Sequence, residues 1–170
     1  MPAGPRPAAT PVAIALGSNL GDRTAHLSWA VAALGERLDA LRVSPFEETA
    51  PVDVPDVQPP YLNAVAVGWT RLAPEALLDE LLALETARGR TRSGVRAART
   101  LDLDLILYGD LIIDTPRLRV PHPRFVDRPF VLGPLAGLAP DWRDPRSRRT
   151  LASLWDARRS DAGGTVTTGG

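Results

Sequence analysis

Two aspartates separated by one residue, Asp102 and Asp104, are the residues of this 170-residue chain best suited to chemistry. They lie in the run RTLDLDLILY, which alternates between leucine and polar residues at its start. Alternate side chains of a β-strand share a face, so we expect both aspartates on one side and the leucines on the other: Leu101, Leu103, Leu105 and Leu107. Carboxylates roughly 7 Å apart along such a strand can converge on divalent cations, with Mg²⁺ favoured. An acidic strand edge facing solvent is the competing interpretation.

Arginines flank this aspartate pair on both sides. Nine of the twenty basic residues lie between positions 88 and 128, and all twenty are arginine. Guanidinium groups bind phosphate oxygens, and together with Mg²⁺ they neutralise a polyphosphate during phosphoryl transfer. Because lysine and cysteine do not occur in the sequence, Schiff-base, P-loop and thiolate chemistry are excluded. For Arg88, Arg96 and Arg119, a solvated surface charge is an equally good interpretation.

Further side chains indicate a ligand with a planar part. His122 lies between two prolines in VPHPR, which predicts a rigid turn, and the nearby arginines favour a phosphate contact over a purely structural role. Tyr61 and Phe130 are suited to stacking on a planar ring. Asn63 shares a predicted strand face with Tyr61, and its amide matches the edge of a pteridine or purine. Core packing of the two rings is the alternative.

Composition places the chain among ordinary globular domains, with 44% hydrophobic residues, 24% charged residues and a formal net charge of zero. A nucleic-acid coat and an anionic membrane surface are disfavoured, and no apolar run approaches the roughly 18 residues of a membrane span. We expect a disordered leader over 1–10, one domain over 11–155 and a disordered tail over 156–170. A monomer in the cytoplasm is expected.

Strand and helix patterns surround these residues. The sequence predicts strands over 12–16, 41–48, 61–70 and 101–108. It predicts helices over 24–38, from Pro74 through Glu85, and between Phe130 and Leu138. Gly109-Asp110 predicts a hairpin into 111–113, and the spans 50–60 and 88–99 are expected to be loops.

Taken in order, seven segments resemble the family of 6-hydroxymethyl-7,8-dihydropterin pyrophosphokinases. They are LGSNLG at 16–21, ETAPV at 48–52, YLNA at 61–64, Glu85 followed by GRTR at 89–92, RTLDLD at 99–104, VPHPR at 120–124 and RPFVL at 128–132. RTLDLD followed closely by VPHPR is the core of the family signature. The resemblance covers about residues 12–142. It implies an α+β fold with a ferredoxin-like core, in which helices cover the faces of an antiparallel sheet in a three-layer arrangement.

The resemblance also implies a reaction: the β,γ-diphosphate of ATP passes intact to the hydroxymethyl oxygen of the reduced pterin and AMP is released. Two Mg²⁺ ions would bridge the phosphates, held by Asp102 and Asp104, which with Arg90 and Arg92 would be the catalytic residues. The implied ATP-binding residues are Glu85, Arg90, Arg92, Arg99, Leu105, His122 and Arg128. The implied pterin-binding residues are Thr49, Val52, Tyr61, Asn63 and Phe130, with Tyr61 and Phe130 sandwiching the ring. ATP and the pterin are thus the expected partners, without nucleic acid or membrane.

One segment departs from the family pattern. Family members usually carry Trp-Gly-Pro before the arginine of RTLDLD, whereas this chain has Arg96-Ala97-Ala98 and is about one residue shorter. Arg96 can replace the tryptophan by stacking on adenine or by meeting a phosphate. Arg96→Ala is therefore expected to raise KM for ATP without changing the metal dependence.

Two other functions fit parts of the pattern. A ferredoxin-like binding module for nucleotide or RNA would use the arginines and aromatic residues, but it gains nothing from two carboxylates among phosphate donors. Another Mg²⁺-dependent nucleotidyl or phosphoryl transferase would use the same acidic pair, but it leaves Tyr61, Asn63 and Phe130 without a role.

Overall fold

A computed structural model describes residues 8–49, 60–89 and 100–164. The main sheet contains β1 (Thr10–Ser18), β2 (Asp39–Val43), β3 (Glu47–Thr49), β4 (Tyr61–Thr70) and β5 (Asp102–Tyr108). Its order is β2-β4-β1-β5, with β3 also paired to β4, and every pairing is antiparallel. The helices are α1 (Arg23–Arg37), α2 (Pro74–Ala87), α3 (Pro129–Leu138) and α4 (Leu151–Gly164), and a small hairpin joins β6 (Ile113–Asp114) to β7 (Arg119–Val120). Within the described ranges, no helix has the length and apolar character needed to cross a membrane.

The sheet separates two hydrophobic cores. Alternate residues of β1 point to opposite faces, so that Val12 and Ile14 pack with α1 and α2 in the first core. Ala13, between them, packs with α3 and α4 in the second core. The result is a helix–sheet–helix arrangement of three layers, as predicted.

Local chemistry explains where several elements begin. The Asp22 side chain accepts a hydrogen bond of 3.1 Å from the Ala25 N–H and caps α1, while Pro74 occupies the first turn of α2, where a missing N–H has no cost. The strand predicted over 41–48 is instead two strands. Between them, the Ser44 hydroxyl replaces a backbone partner by accepting the Val65 N–H at 2.8 Å.

β5 contains one more residue than the part of β1 that it pairs with. Ala13 lies opposite Leu107, whereas the next residue, Ile14, lies opposite Leu105, so Ile106 is the extra residue of a β-bulge. The bulge turns Leu107 toward the second core, so the prediction that all four leucines share one face is wrong for Leu107. The other three lie in the first core as predicted: Leu101, Leu103 and Leu105.

The hairpin predicted at Gly109-Asp110 does not continue β5. Ile113 and Asp114 pair with β7 rather than returning along β5. The turn that joins β6 to β7 is closed by Thr115, whose backbone and hydroxyl both bond to Leu118. Because these bonds close the β6–β7 hairpin on itself, residues 109–112 only connect β5 to β6.

The tail predicted to be disordered from residue 156 is helical as far as Gly164, so the predicted domain boundary falls inside α4. Leu151 and Leu154 anchor this helix in the second core. Beyond the predicted boundary, the Arg158 guanidinium donates to the carbonyls of Val126 and Asp127, at 3.3 and 3.0 Å. These hydrogen bonds hold the polar end of α4 against residues 126–127, and its composition gives no sign of them.

Candidate active site

Several of the predicted site residues form a row across the sheet. Gly17 of β1 lies opposite Asn63 of β4 and also opposite Asp102 of β5. Thr49 of β3 lies opposite Tyr61. Residues directly opposite one another project on the same face, and here that face carries the second core. The structure therefore brings predicted pterin and metal residues of three strands, β3, β4 and β5, to one side of the sheet, with Gly17 of β1 between Asn63 and Asp102.

The pterin-side residues are oriented by contacts among themselves. The Asn63 Nδ2 amide donates to the Thr49 hydroxyl, so the Asn63 Oδ1 oxygen faces away from Thr49 and toward Gly17. Phe130, in the first turn of α3, is half-buried against the second core on the same face. Thr49, Tyr61 and Asn63 thus lie together, and Phe130 lies on the same face of the sheet, while Val52 lies outside the described residues.

Asp102 and Asp104 project side by side from the first half of β5 and are both half-buried. The described part of the chain contains no group of three or more His, Cys, Asp or Glu side chains able to hold a metal ion. The donor set at this point is therefore a pair of carboxylates. Such a set fits Mg²⁺, which is usually held by one or two carboxylates while phosphates and water complete its octahedron.

His122 is positioned by the β5 bulge. Its backbone N–H donates to the carbonyl of Ile106, the extra residue, at 2.8 Å. The Arg124 N–H donates to His122 Nδ1 at 3.3 Å, so the neutral ring carries its proton on Nε2. Burial lowers the pKa of His122 below its ordinary value of 6.5 and the charge of Arg128 lowers it further, while Asp102 opposes both. The imidazole is thus held as a neutral Nε2–H donor.

A cleft of about 560 Å³ lies between α2, β5 and the β6–β7 hairpin. Its lining includes both aspartates and three of the predicted ATP-binding residues: Glu85, Leu105 and His122. Glu85 is only 2% exposed, and its carboxylate accepts the Leu103 N–H at 2.8 Å, which ties α2 to β5. Glu85 thus lines the cleft and also has a structural function that the sequence does not show.

Several of the described arginines have protein partners. Arg88 donates to His26 Nδ1 at 2.8 Å and its guanidinium lies 5.4 Å from the centre of the Trp29 ring, so its half-buried side chain is held against α1. Arg117 forms ion pairs with Asp79 and Glu75. Arg119 pairs with Asp114 on the neighbouring strand. Arg90, Arg92, Arg96 and Arg99 lie outside the described residues, and their predicted functions stay predictions.

Two features of the site were missed by the sequence analysis. Gly17 enters the sequence analysis only as part of the LGSNLG motif. Its position between Asn63 and Asp102 becomes visible only from the strand pairing. Arg23 was also missed. It pairs with Glu48 and donates to the Pro60 carbonyl at 2.7 Å, and so ties the end of β3 to the start of β4. The separation of these partners in sequence gives no local signal.

Comparison with known proteins identifies the family. Residues 13–140 match the family described as 7,8-dihydro-6-hydroxymethylpterin-pyrophosphokinase (HPPK). The chain belongs to this family. The HPPK match spans every site residue discussed above, including both aspartates, His122 and Phe130.

Two HPPK relatives are similar over most of their length, and both are named 2-amino-4-hydroxy-6-hydroxymethyldihydropteridine pyrophosphokinase. The chain is 43% identical to the Synechocystis sp. protein over 143 residues, which is 83% of this chain and 72% of that protein. It is 46% identical to the Pseudomonas aeruginosa protein over 140 residues, which is 81% of this chain and 85% of that protein. As a member of the HPPK family, the chain is a pyrophosphokinase.

A solved structure shares the fold. The Plasmodium falciparum HPPK-DHPS bound to pteroate matches 90% of this chain and 45% of its own, with a TM-score of 0.72 and 12% sequence identity. At this identity the likeness concerns the fold alone. It confirms the predicted α+β, ferredoxin-like architecture.

Proposed function

We propose that this chain transfers the β,γ-diphosphate of ATP to the hydroxymethyl group of 6-hydroxymethyl-7,8-dihydropterin and releases AMP, a step of folate biosynthesis. One observation carries the proposal. Asp102 lines the cleft suited to a nucleotide and also lies in the same strand row as Asn63, the predicted reader of the pterin edge. A residue in that position adjoins both substrates.

The reaction requires an in-line displacement at the β-phosphorus. The hydroxymethyl oxygen forms a bond to this phosphorus while the bond to the oxygen bridging the α- and β-phosphates breaks, and that oxygen leaves with AMP. The hydroxyl proton passes to solvent as the new bond forms. Asp102 is placed to orient the hydroxyl, because it is separated from Asn63 only by Gly17. Positioning of this kind is the main contribution of a protein to phosphoryl transfer.

Asp102 and Asp104 would hold Mg²⁺. When bound, the metal neutralises the phosphate charge and holds the phosphates in line for attack. The half-buried carboxylate pair and its place in the cleft support this assignment. We therefore expect the reaction to require a divalent cation and to stop when EDTA is present in excess.

His122 and Arg128 would act on the phosphates. The proton on Nε2 makes the neutral imidazole a hydrogen-bond donor to a phosphate oxygen, and Arg128, close enough to affect the His122 pKa, adds a positive charge nearby. Arg90, Arg92 and Arg99 would contribute further charge by their family positions. Glu85 and Leu105 would border the nucleotide.

The proposal is tested by measuring AMP release with Mg²⁺ and each substrate alone, then with both together. AMP is expected only when ATP and the pterin alcohol are both present. Replacing the pterin alcohol by 6-methyl-7,8-dihydropterin, which lacks the accepting hydroxyl, provides a matched control that should release none. Formation of ADP, or AMP release without the pterin, would contradict the proposal.

A further inference from the structure

We propose that Gly17 determines how deeply the pterin lies in the site, because it places no side chain between Asn63 and Asp102. Gly17 is then a positioning residue for the pterin alone and has no part in ATP binding. This inference rests on the proposed function, which it extends by identifying the floor of the pterin site.

The first argument comes from the strand register. Gly17 is directly opposite Asn63 on one side and Asp102 on the other, so all three positions share a face. The outer two are separated by two strand spacings, on the order of 10 Å. A bicyclic ring whose edge bonds to Asn63 and whose one-carbon arm reaches toward Asp102 must therefore cross over Gly17.

The second argument comes from the space around Gly17. A Cβ atom added here would lie 3.3 Å from Asn63 Oδ1, which is tighter than most real Cβ contacts. It would also lie 3.5 Å from Cδ1 and 3.9 Å from Cε1 of the Tyr61 ring. The nearest neighbours are thus the amide and the aromatic ring predicted to bind the pterin. Any side chain at this position would occupy the space beside both.

The third argument is that the backbone itself does not need glycine here. Gly17 is not among the residues with positive φ, and the bulge of β5 lies opposite Ala13 and Ile14, three to four residues away along β1. Glycine inside a strand weakens it, and it often marks a place where a ligand approaches the backbone closely. Gly68 of β4 is different, since a Cβ there would crowd Leu38 of the first core and the Asp39 carbonyl, at 3.1 and 3.2 Å, so the packing of the chain itself accounts for that glycine.

The test compares Gly17→Ala with the wild type and with Gly137→Ala, a helical control whose added Cβ would meet nothing within 4 Å. Dissociation constants are measured by fluorescence titration for the pterin alcohol and for a non-hydrolysable ATP analogue. The added methyl group is expected to weaken pterin binding by about tenfold or more, the effect of one misplaced carbon in a fitted site. ATP-analogue affinity and the melting temperature are expected to match those of the wild type, as should both affinities of Gly137→Ala.

The outcomes separate this inference from the proposed function. Wild-type protein without affinity for the pterin would overturn the proposed function. Wild-type protein that binds the pterin, with Gly17→Ala binding within about twofold of it, would overturn the inference alone. An equal loss of both affinities would also overturn the inference, since it would indicate a general structural function for Gly17.

A second measurement uses the double variant Gly17→Ala with Asn63→Ala. Because the methyl group is expected to act by pressing on the Asn63 amide, the two changes should weaken pterin binding by less than the combined single effects. If the two substitutions weaken pterin binding by fully additive amounts, the inference that Gly17 and Asn63 act on the same part of the pterin is contradicted.

Discussion

Asp102 and Asp104 are half-buried polar residues of a strand whose other face lies in the first core. Their replacement by asparagine preserves shape and leaves the core untouched, so we expect each variant to fold normally. Turnover should fall by about a thousandfold or more, because the proposed Mg²⁺ would lose one of its two charged ligands in each variant. Steady-state AMP release and thermal unfolding measure the two effects.

The matched control for these variants is Asp110→Asn, at an exposed turn position after β5. It is expected to retain wild-type turnover. A loss of stability that parallels the loss of turnover in both site variants would instead assign the aspartates a structural function.

His122 gives a prediction that depends on pH. Since burial and Arg128 lower its pKa in the folded chain, the folded state binds fewer protons than the unfolded state near and below pH 6.5. The contribution of His122 to stability is therefore complete above that pH and decreases as the pH falls. NMR titration of the imidazole should give a pKa below the ordinary value, with the signal assigned by a His26→Gln variant.

Two variants test the causes of this shift. Arg128→Gln should raise the His122 pKa, because a repelling positive charge is removed, and Asp102→Asn should lower it, because an attracting negative charge is removed. Shifts in the opposite directions would contradict the geometry described for this corner of the site.

Single residues differ in how far their function can be predicted from sequence. The aspartate pair, His122 and Asn63 stand out by their chemical type and spacing, and the family pattern supplies their expected ligands. Arg88 does not, since its partner His26 lies 62 positions away in sequence. The importance of Gly17 depends on two strand pairings that no local pattern specifies.

Elements hold these residues through a small number of buried polar contacts, of which the one between α2 and β5 is the most consequential. Glu85→Leu would leave the buried Leu103 N–H without its acceptor, and we expect a loss of about 1–3 kcal/mol in the free energy of unfolding. Glu85→Gln keeps an oxygen acceptor of similar shape and should lose less. Urea denaturation of both variants measures the difference. Equal losses would show that the charge of Glu85, rather than its hydrogen bond to Leu103, stabilises the fold.

The β5 bulge shows why elements are predicted better than their details. The alternation of LDLDL correctly predicts a strand and the shared face of the two aspartates. It ends at Leu105, and the apolar residues that follow do not show that the pairing with β1 slips by one residue at Ile106. The slip depends on β1 as well as β5, and it both turns Leu107 to the other core and frees the Ile106 carbonyl to hold His122.

At the scale of the whole molecule, charge is distributed unevenly along the sequence. Residues 1–87 carry five arginines and eleven acidic residues, whereas residues 88–128 carry nine arginines and five acidic residues. The predicted three-layer architecture is confirmed, since it follows from strand and helix order together with the family pattern. The helical end of the chain was not predicted, because α4 beyond residue 156 is polar and is held by distant carbonyls.

The central claim is the transfer of an intact diphosphate, and mass spectrometry of the pterin product tests it most directly. After incubation with ATP and Mg²⁺, the pterin alcohol should gain two phosphoryl groups in one step, in equal amount to the AMP formed. The Asp102→Asn variant should give neither product. A pterin carrying one phosphoryl group together with ADP, or AMP formed without any change in the pterin, would contradict the account.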